Sequence, residues 1–274
     1  MTIVSLIAAI AVAASPAVFS PELPIKPPKH GGVYVMAHRG AHQGIPENTL
    51  AAYQKGIDLG VDFVEIDIRT TKDGKYVSCH NATVDSYTNG TGTGKVRDHT
   101  LEELRAMDFG SRVGPQFKGT KIPTFEEILN LCKGKVGIYL DFKDADMAEV
   151  AKIIKDHGME HEVVWYLYKE QAKQLQKIAP DCIPMPDPGP ESGLADLIKE
   201  THPRIIASSM DDCSKTYVET CHAAKAIVVA DCMPNDPKVW EKAMSWDLDG
   251  LQTDNPAELI AWLDKNPKAK PFKP

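Results

Sequence analysis

After His30 the chain alternates short apolar runs with longer segments in which apolar residues recur every three or four positions. The short runs are typical of buried strands, and the longer segments are typical of amphipathic helices. This alternation continues to the C-terminus and predicts a parallel sheet covered by helices. The predicted strands are 33–37, 63–68, 75–79, 136–141, 163–167, 182–185, 204–207, 226–229 and 250–252.

Capping residues mark where several helices begin. Asn48 is predicted to cap a helix that ends at Leu59, where Gly60 stops it. Thr100 and Thr124 each begin a short helix, the first with a capping-box sequence. Further helices are predicted at 170–178, 194–200, 215–224, 237–245 and 257–263.

The second and third strands interrupt this repeat. Only about six residues separate them, too few for a crossover helix, so we expect a hairpin. The fold class is therefore predicted as α/β, a TIM-type (β/α)8 barrel that is distorted around strands 2 and 3 and carries a small insertion, 81–121, after the third strand. An open doubly wound sheet is the alternative, but no G-x-G-x-x-G sequence follows the first strand and no Walker motif is present.

Composition limits the kinds of partner. The 274 residues suit one barrel, and the net charge is −7 with no stretch rich in Lys and Arg, so no nucleic-acid partner is expected. An acidic chain that binds an anion must hold positive charge locally, as a metal ion or a few placed cations. The six cysteines contain no C-x-x-C pair, which disfavours a zinc site. Disulfides Cys213–Cys221 and Cys182–Cys232 are left open.

The first twenty residues carry no charge and end in small residues, which predicts a signal peptide at 1–20 and a secreted or periplasmic protein. An N-terminal membrane anchor and a buried terminal segment are the alternatives, although Pro16 and the short apolar run argue against a stable membrane span. A Pro-rich linker at 21–31 then leads into the barrel domain, 32–274. The oligomeric state is left open.

Polar residues gather where the first strands end. In a parallel barrel, side chains at the carboxyl ends of the strands form the functional face. Glu65 and Asp67 are two residues apart and therefore project from one side of their strand. The residues singled out at the ends of the first four strands are His38, Arg39, Glu65, Asp67, His80, Asp141 and Lys143.

Three carboxylates that point into the barrel require compensating positive charge, because burying an unpaired charge costs several kcal/mol. All-oxygen ligation indicates one hard divalent cation, Mg²⁺ or Ca²⁺. A buried ion network with Arg69 or Lys143 is the alternative, and the two histidines at neighbouring strand ends favour the metal. A pair of histidines also suits acid–base chemistry at phosphorus near neutral pH.

Several ordered segments carry a resemblance to a known family. A-H-R-G-A-H-Q-G-I-P-E-N-T-L-A-A-Y, V-E-I-D-I-R-T-T-K-D-G and V-S-C-H-N-A-T-V-D-S-Y-T-N-G-T-G, followed by F-K-G-T-K-I-P-T-F-E-E-I-L, Y-L-D-F-K and D-G-L-Q-T-D-N-P, resemble the glycerophosphodiester phosphodiesterase family. The resemblance runs from about Met36 to Leu263 and is strongest in the first half. It implies a TIM-type barrel with a divalent cation and two catalytic histidines.

The resemblance also implies roles for individual residues. His38 and His80 match the acid–base pair, and the metal ligands match Glu65, Asp67 and Asp141. Phosphate-contacting positions match Arg39 and Lys143, and the supporting positions match Glu47 and Asn81. The implied reaction is metal-dependent hydrolysis of a small-molecule glycerophosphodiester to glycerol 3-phosphate and an alcohol.

The chain departs from the family pattern at four places. Asn81 stands where the family usually has Asp, and an Arg is missing at 85–88. Ala230 and Asp231 lie where many members carry Trp, and the third carboxylate is Asp141 rather than the commoner Glu. A sphingomyelinase-D-like or lysophospholipase-D-like enzyme and a catalytically silent binding barrel are therefore the alternatives.

Overall fold

A computed structural model describes residues 25–269, so the predicted signal peptide and the first residues of the predicted linker lie outside the described residues. Strands and helices alternate along the chain. The strands are β1 Tyr34–Ala37, β2 Phe63–Thr70, β3 Tyr76–Ser78, β4 Gly137–Asp144, β5 Val163–Tyr168, β6 Ile183–Asp187, β7 Ile205–Ser209, β8 Ile227–Asp231 and β9 Gly250–Thr253. The helices are α1 Leu50–Leu59, α2 Leu101–Ala106, α3 Phe125–Cys132, α4 Met147–Asp156, α5 Lys169–Ile178, α6 Leu194–Thr201, α7 Lys215–Ala223, α8 Pro237–Ser245 and α9 Pro256–Leu263.

The parallel strands form a nearly closed barrel. Their order in the sheet is β6-β5-β4-β2-β1-β9-β8-β7, and β6 and β7 lie side by side where this order ends. β3 lies outside the order and pairs antiparallel with β2. The predicted TIM-type barrel and the hairpin between the second and third strands are both confirmed.

Apolar layers lie on both faces of the barrel sheet, one against the helices and one inside the barrel. The residues of β2 that alternate with the acidic pair, Val64, Ile66 and Ile68, pack against the surrounding helices. Inside the barrel, Tyr34, Met36, Phe63 and other apolar side chains form the second layer. The end of the barrel where the parallel strands have their carboxyl termini is here called the mouth, and it carries Glu65, Asp67 and Asp141.

The predicted insertion forms a small layer of its own beside the mouth. Its apolar residues pack with β3 and the segment before α3, so it has a separate core. The members of this core are Val77, Cys79, Val84, Tyr87, Val96, Leu104, Met107, Phe109 and Ile122. Its helix α2 begins at Thr100 with both hydrogen bonds of a capping box, as the sequence predicts.

Two predictions about helices are wrong. Thr49, not Asn48, caps α1, because its side chain accepts the hydrogen bond from the Ala52 N–H, while Asn48 takes a left-handed conformation with φ of 54°. The predicted helices also omit α4, although Asp146 caps it and its buried residues recur at helical spacing. In addition, all six cysteines are buried free thiols, so neither of the two disulfides forms.

Across residues 25–269, every helix falls short of the length and apolar character that a bilayer span requires.

The first testable prediction concerns the base of the barrel. A Cβ added at Gly137 would lie 2.4 Å from ring atoms of Phe63, which is far inside van der Waals contact. We expect Gly137→Ala to lower the free energy of unfolding by about 1–3 kcal/mol, measured by urea denaturation. Phe63→Leu introduced into that variant should recover part of the loss, since the two sites share one contact. An unchanged unfolding midpoint for Gly137→Ala would contradict the tight packing.

Candidate active site

The register of the sheet gathers three carboxylates at the mouth. Asp67 of β2 lies beside Asp141 of β4, and Glu65 lies one side-chain repeat before Asp67 on the same face. Oxygen atoms of all three lie within 4.8 Å of one another. Glu65 and Asp67 are buried and Asp141 is partly buried. The structure thus brings together the three acidic residues that the sequence singled out.

Burial makes this cluster electrostatically unfavourable. It raises the pKa of Glu65 well above its ordinary value, and the neighbouring Asp67 and Asp141 raise it further. Burial also raises the pKa of Asp141, while the nearby Lys143 opposes that shift. Additional positive charge at this point would therefore stabilise the ionised cluster.

Hydrogen bonds from the loop after β1 hold two of the carboxylates in place. The backbone N–H of Arg39 donates to Glu65 Oε2 at 2.6 Å, and the side-chain amide of Asn48 donates to Asp67 Oδ2 at 2.8 Å. Asn48 is itself fixed, because its Oδ1 accepts hydrogen bonds from the hydroxyls of Tyr53 and Ser78. Asp67 Oδ1 accepts no hydrogen bond among the described residues, although Lys143 Nζ lies 3.3 Å away.

Two cationic side chains lie beside the cluster. Lys143 contacts both Asp141 and Asp67 through Nζ. Arg39 forms an ion pair with Glu47 at 3.0 Å, and its Nε lies 4.0 Å from Asp67 Oδ2. Glu47 in turn forms an ion pair at 3.4 Å with Arg112 of the insertion. Arg39 and Lys143 are thus positioned to contact an anion that approaches the carboxylates.

The donor set fits a hard divalent cation. Every candidate ligand atom in the cluster is a carboxylate oxygen, and Asp67 Oδ1 is a buried acceptor that has an ion pair with Lys143 but no hydrogen bond among the described residues. The raised pKa values of Glu65 and Asp141 are also the expected sign of a charge deficit that a cation would correct. Lys143 and Arg39 supply the nearby positive charge, and Arg39 is also paired with a fourth acidic group, Glu47.

His38 lies on the β1 side of the cluster and is oriented by a carboxylate. Because Ala37 is in register with Thr253, His38 follows β1 at the same level as Asp254 follows β9. His38 Nδ1 lies 2.7 Å from Asp254 Oδ1. Burial would raise the pKa of Asp254, but hydrogen bonds from His38 and His42 hold it well below its usual range. Asp254 thus fixes one ring nitrogen of His38.

His80 follows β3, which pairs antiparallel with the strand that carries Glu65 and Asp67. Its charge, when the ring is protonated, lowers the pKa of Asp141 against the larger effect of burial. His80 Nδ1 lies 3.0 Å from Asn81 Oδ1, and its backbone carbonyl accepts a hydrogen bond from Arg69. The two histidines therefore follow β1 and β3, which both pair with the strand that carries Glu65 and Asp67, and each ring has a polar partner at Nδ1.

Strands β5, β6, β8 and β9 contribute further polar side chains to the mouth. Tyr166 of β5 donates a hydrogen bond to Asp187 at the end of β6, and Gln252 of β9 donates one to Asp231 at the end of β8. Gln252 Oε1 is buried without a hydrogen-bond partner in the described part of the chain. Burial raises the pKa of Asp231 to about 6.

Sequence reasoning missed four residues of this site. Asn48 resembles a helix cap, and its contact with Asp67 depends on a left-handed backbone that the sequence does not announce. Asp254 and Asp231 each sit at a strand end and could have been found by that rule. Arg112 reaches Glu47 from a segment with little regular structure, and no sequence pattern points to it.

Comparisons with known proteins show which proteins the chain resembles. A sequence model of the glycerophosphoryl diester phosphodiesterase family matches residues 38–179, the part of the chain that carries both histidines and all three clustered carboxylates. A glycerophosphodiester phosphodiesterase of Caldanaerobacter subterraneus subsp. tengcongensis is 36% identical over 154 residues, which are 53% of this chain and 63% of that protein. The chain spans about half the length of the curated relatives it matches.

Solved structures share the fold over most of both chains. A glycerophosphodiester phosphodiesterase of Agrobacterium tumefaciens superposes with a TM-score of 0.74 at 27% identity, covering 84% of this chain and 99% of that one. A phosphodiesterase of Oleispira antarctica, solved in complex with the product sn-glycerol-3-phosphate, superposes with a TM-score of 0.75 at 22% identity, covering 84% and 96%.

A pH-dependent test follows from Asp231. Its pKa of about 6 lies above the ordinary value near 4, so the native state binds this proton more tightly than the unfolded chain does. The neutral acid therefore stabilises the native state at low pH, and this stabilisation is lost as the pH rises through 6. Asp231→Asn removes the charge and keeps an acceptor for Gln252. We expect the variant to be more stable than the parent by about 1–3 kcal/mol near pH 8, with a much smaller difference near pH 4, in thermal unfolding.

Asp211→Asn is the matched control, because Asp211 is exposed. It should show no such pH-dependent difference. A stability gain for Asp231→Asn that is equal at both pH values would contradict the proposed cause.

Proposed function

The chain belongs to the glycerophosphoryl diester phosphodiesterase family, and from that premise we propose that it hydrolyses glycerophosphodiesters to glycerol 3-phosphate and an alcohol. The observation that carries the proposal is the cluster of Glu65, Asp67 and Asp141 together with histidines that follow β1 and β3, both of which pair with β2. The names of the matched relatives support this activity. The product that the Oleispira antarctica enzyme binds is the one this reaction would release.

The proposed cofactor is one divalent cation, Mg²⁺ or Ca²⁺, held by Glu65, Asp67 and Asp141. Carboxylate oxygens are the ligands that both ions prefer. When bound, such a cation supplies positive charge to a phosphate oxygen as negative charge develops in the transition state.

Arg39 and Lys143 are proposed to bind and orient the phosphate. Both side chains already lie beside the carboxylates, and both are held there by ion pairs with Glu47 and Asp141 respectively. A guanidinium and an ammonium donate charge-assisted hydrogen bonds to phosphate oxygens. Since the chain as a whole is acidic, these two local cations give an anionic substrate its place of attachment.

The two histidines are proposed to move the protons. Asp254 holds Nδ1 of His38 and Asn81 holds Nδ1 of His80, so Nε2 of each ring is available for proton transfer. One ring accepts a proton from water or from the neighbouring glycerol hydroxyl as that oxygen attacks phosphorus. The other ring donates a proton to the oxygen of the leaving alcohol. Attack by the hydroxyl forms a cyclic phosphate, which water then opens.

The experiment that tests the proposed function uses the purified protein and glycerophosphocholine. We expect release of glycerol 3-phosphate, detected by a coupled enzymatic assay, and loss of that release after treatment with EDTA. Excess Mg²⁺ or Ca²⁺ should restore it, because the carboxylates bind either hard cation. If a panel of glycerophosphodiesters, lysophospholipids and a chromogenic phosphodiester yields no product with metal supplied, the chain is instead a silent binding barrel.

A second prediction tests whether the rings of His38 and His80 act in catalysis without being needed for folding. His38→Ala and His80→Ala should each lower kcat by at least about 100-fold, the lower end of the usual acid–base contribution. His161→Ala is the matched control, since His161 lies at the other end of the barrel near the start of β4 and should leave kcat unchanged. Thermal unfolding should show that all three variants fold. Parent-like turnover by either mouth variant would refute the role of that ring.

A further inference from the structure

A second cluster of ligating side chains lies at the edge of the mouth. His38 Nδ1 and His42 Nε2 approach the same oxygen, Asp254 Oδ1, at 2.7 Å and 2.9 Å. These three ligand atoms all lie within 4.8 Å of one another. The two imidazole rings are nearly perpendicular, at 74° with centroids 6.3 Å apart, so they converge on Asp254 without stacking.

The backbone conformation brings the side chains of His38, His42 and Asp254 close together. A tight turn at Arg39 and Gly40, with φ of 53° and 80°, reverses the chain between the two histidines. Gly40 packs so closely on α1 that an added Cβ would lie 2.8 Å from the backbone of Ala52. The register of β1 and β9 then places Asp254 opposite this turn. Two separate segments therefore present their ligand atoms to one point, and little rearrangement would be needed to bind an ion there.

The donor set differs in kind from that of the carboxylate cluster. Two imidazole nitrogens and one carboxylate oxygen suit zinc and similar borderline metals, with bonds of about 2.0–2.2 Å and a position left for water. The side chains of His38, His42 and Asp254 are 18%, 20% and 32% exposed, so an ion can reach them from solvent. We propose that His38, His42 and Asp254 form a zinc site whose occupation inhibits the enzyme.

Inhibition follows from what zinc would do to His38. A metal bond at Nδ1 replaces the hydrogen bond to Asp254 and displaces the proton shared between them. The neutral, metal-bound ring then carries its remaining proton on Nε2, so it can no longer accept one from the attacking oxygen. It also cannot become the doubly protonated ring that donates a proton readily to the leaving group. The inhibitory effect rests on the proposed function, whereas the binding of the metal does not.

Binding is tested with Co²⁺ as a spectroscopic substitute for zinc, in excess Mg²⁺ that occupies the carboxylate cluster. Four- or five-coordinate Co²⁺ with nitrogen ligands absorbs strongly in the visible region, whereas a six-coordinate oxygen site absorbs weakly. We expect visible bands for the parent protein, for Glu65→Gln and for His161→Gln, and their loss in His42→Gln. Absence of bands from the parent, or bands lost in Glu65→Gln but kept in His42→Gln, would overturn the site.

Inhibition is tested with Zn²⁺ in the phosphodiesterase assay, again in excess Mg²⁺. Each variant is compared with its own activity before zinc is added. His42→Gln should need at least about 10-fold more zinc than the parent for the same fractional loss, since one of three protein ligands is gone. His161→Gln should match the parent. Equal sensitivity of His42→Gln and the parent would overturn the inhibitory role. If the parent shows no phosphodiesterase activity, the proposed function fails, while the Co²⁺ spectra still decide the site.

Discussion

The mutual repulsion of three buried carboxylates is the constraint on which the rest of the site depends. Parallel pairing of β2 and β4 leaves no freedom to separate Asp67 from Asp141, because the register sets them side by side. Glu65 lies on the same face as Asp67 because side chains alternate along a strand with a period of two residues. A fold that holds like charges this close must supply donors and positive charge around them. Arg39, Asn48 and Lys143 occupy those positions.

This constraint also links the insertion to the barrel. Arg39 lies against the carboxylates and pairs with Glu47, Glu47 pairs with Arg112, and Arg112 lies over the ring of Tyr87 at 5.1 Å from its centroid. Tyr87 belongs to the apolar core of the insertion. The insertion is thus connected to Arg39, a candidate for contacting phosphate, through alternating charges. A substitution in the insertion can therefore alter the position of Arg39 through Arg112 and Glu47.

Much of this arrangement could be predicted from the sequence, because it depends on period and on order along the chain. Alternation of strands and helices indicates the barrel, and a two-residue spacing on one strand indicates the shared face of Glu65 and Asp67. The contacts that orient these residues could not be predicted so readily. Asn48 reaches Asp67 only because Thr49 takes the cap of α1 and the preceding backbone turns left-handed. The contact of Asp254 with His38 depends on the register between strands that are far apart in the sequence.

Two further buried carboxylates show what distinguishes a structural acid from a candidate functional one. Asp62 accepts hydrogen bonds from the backbone N–H groups of Lys29 and Val35, and Asp249 accepts one from the backbone of Val228. Both lie just before a strand, at the base of the barrel, where they satisfy backbone donors. At the mouth, by contrast, Asp67 keeps a buried oxygen that has an ion pair with Lys143 but accepts no hydrogen bond among the described residues. Buried acceptors are rarely left unpaired where stability alone is at stake. Carboxylates at the base thus serve the backbone, whereas Asp67 Oδ1 at the mouth is free of backbone donors and lies where the proposed cation would bind.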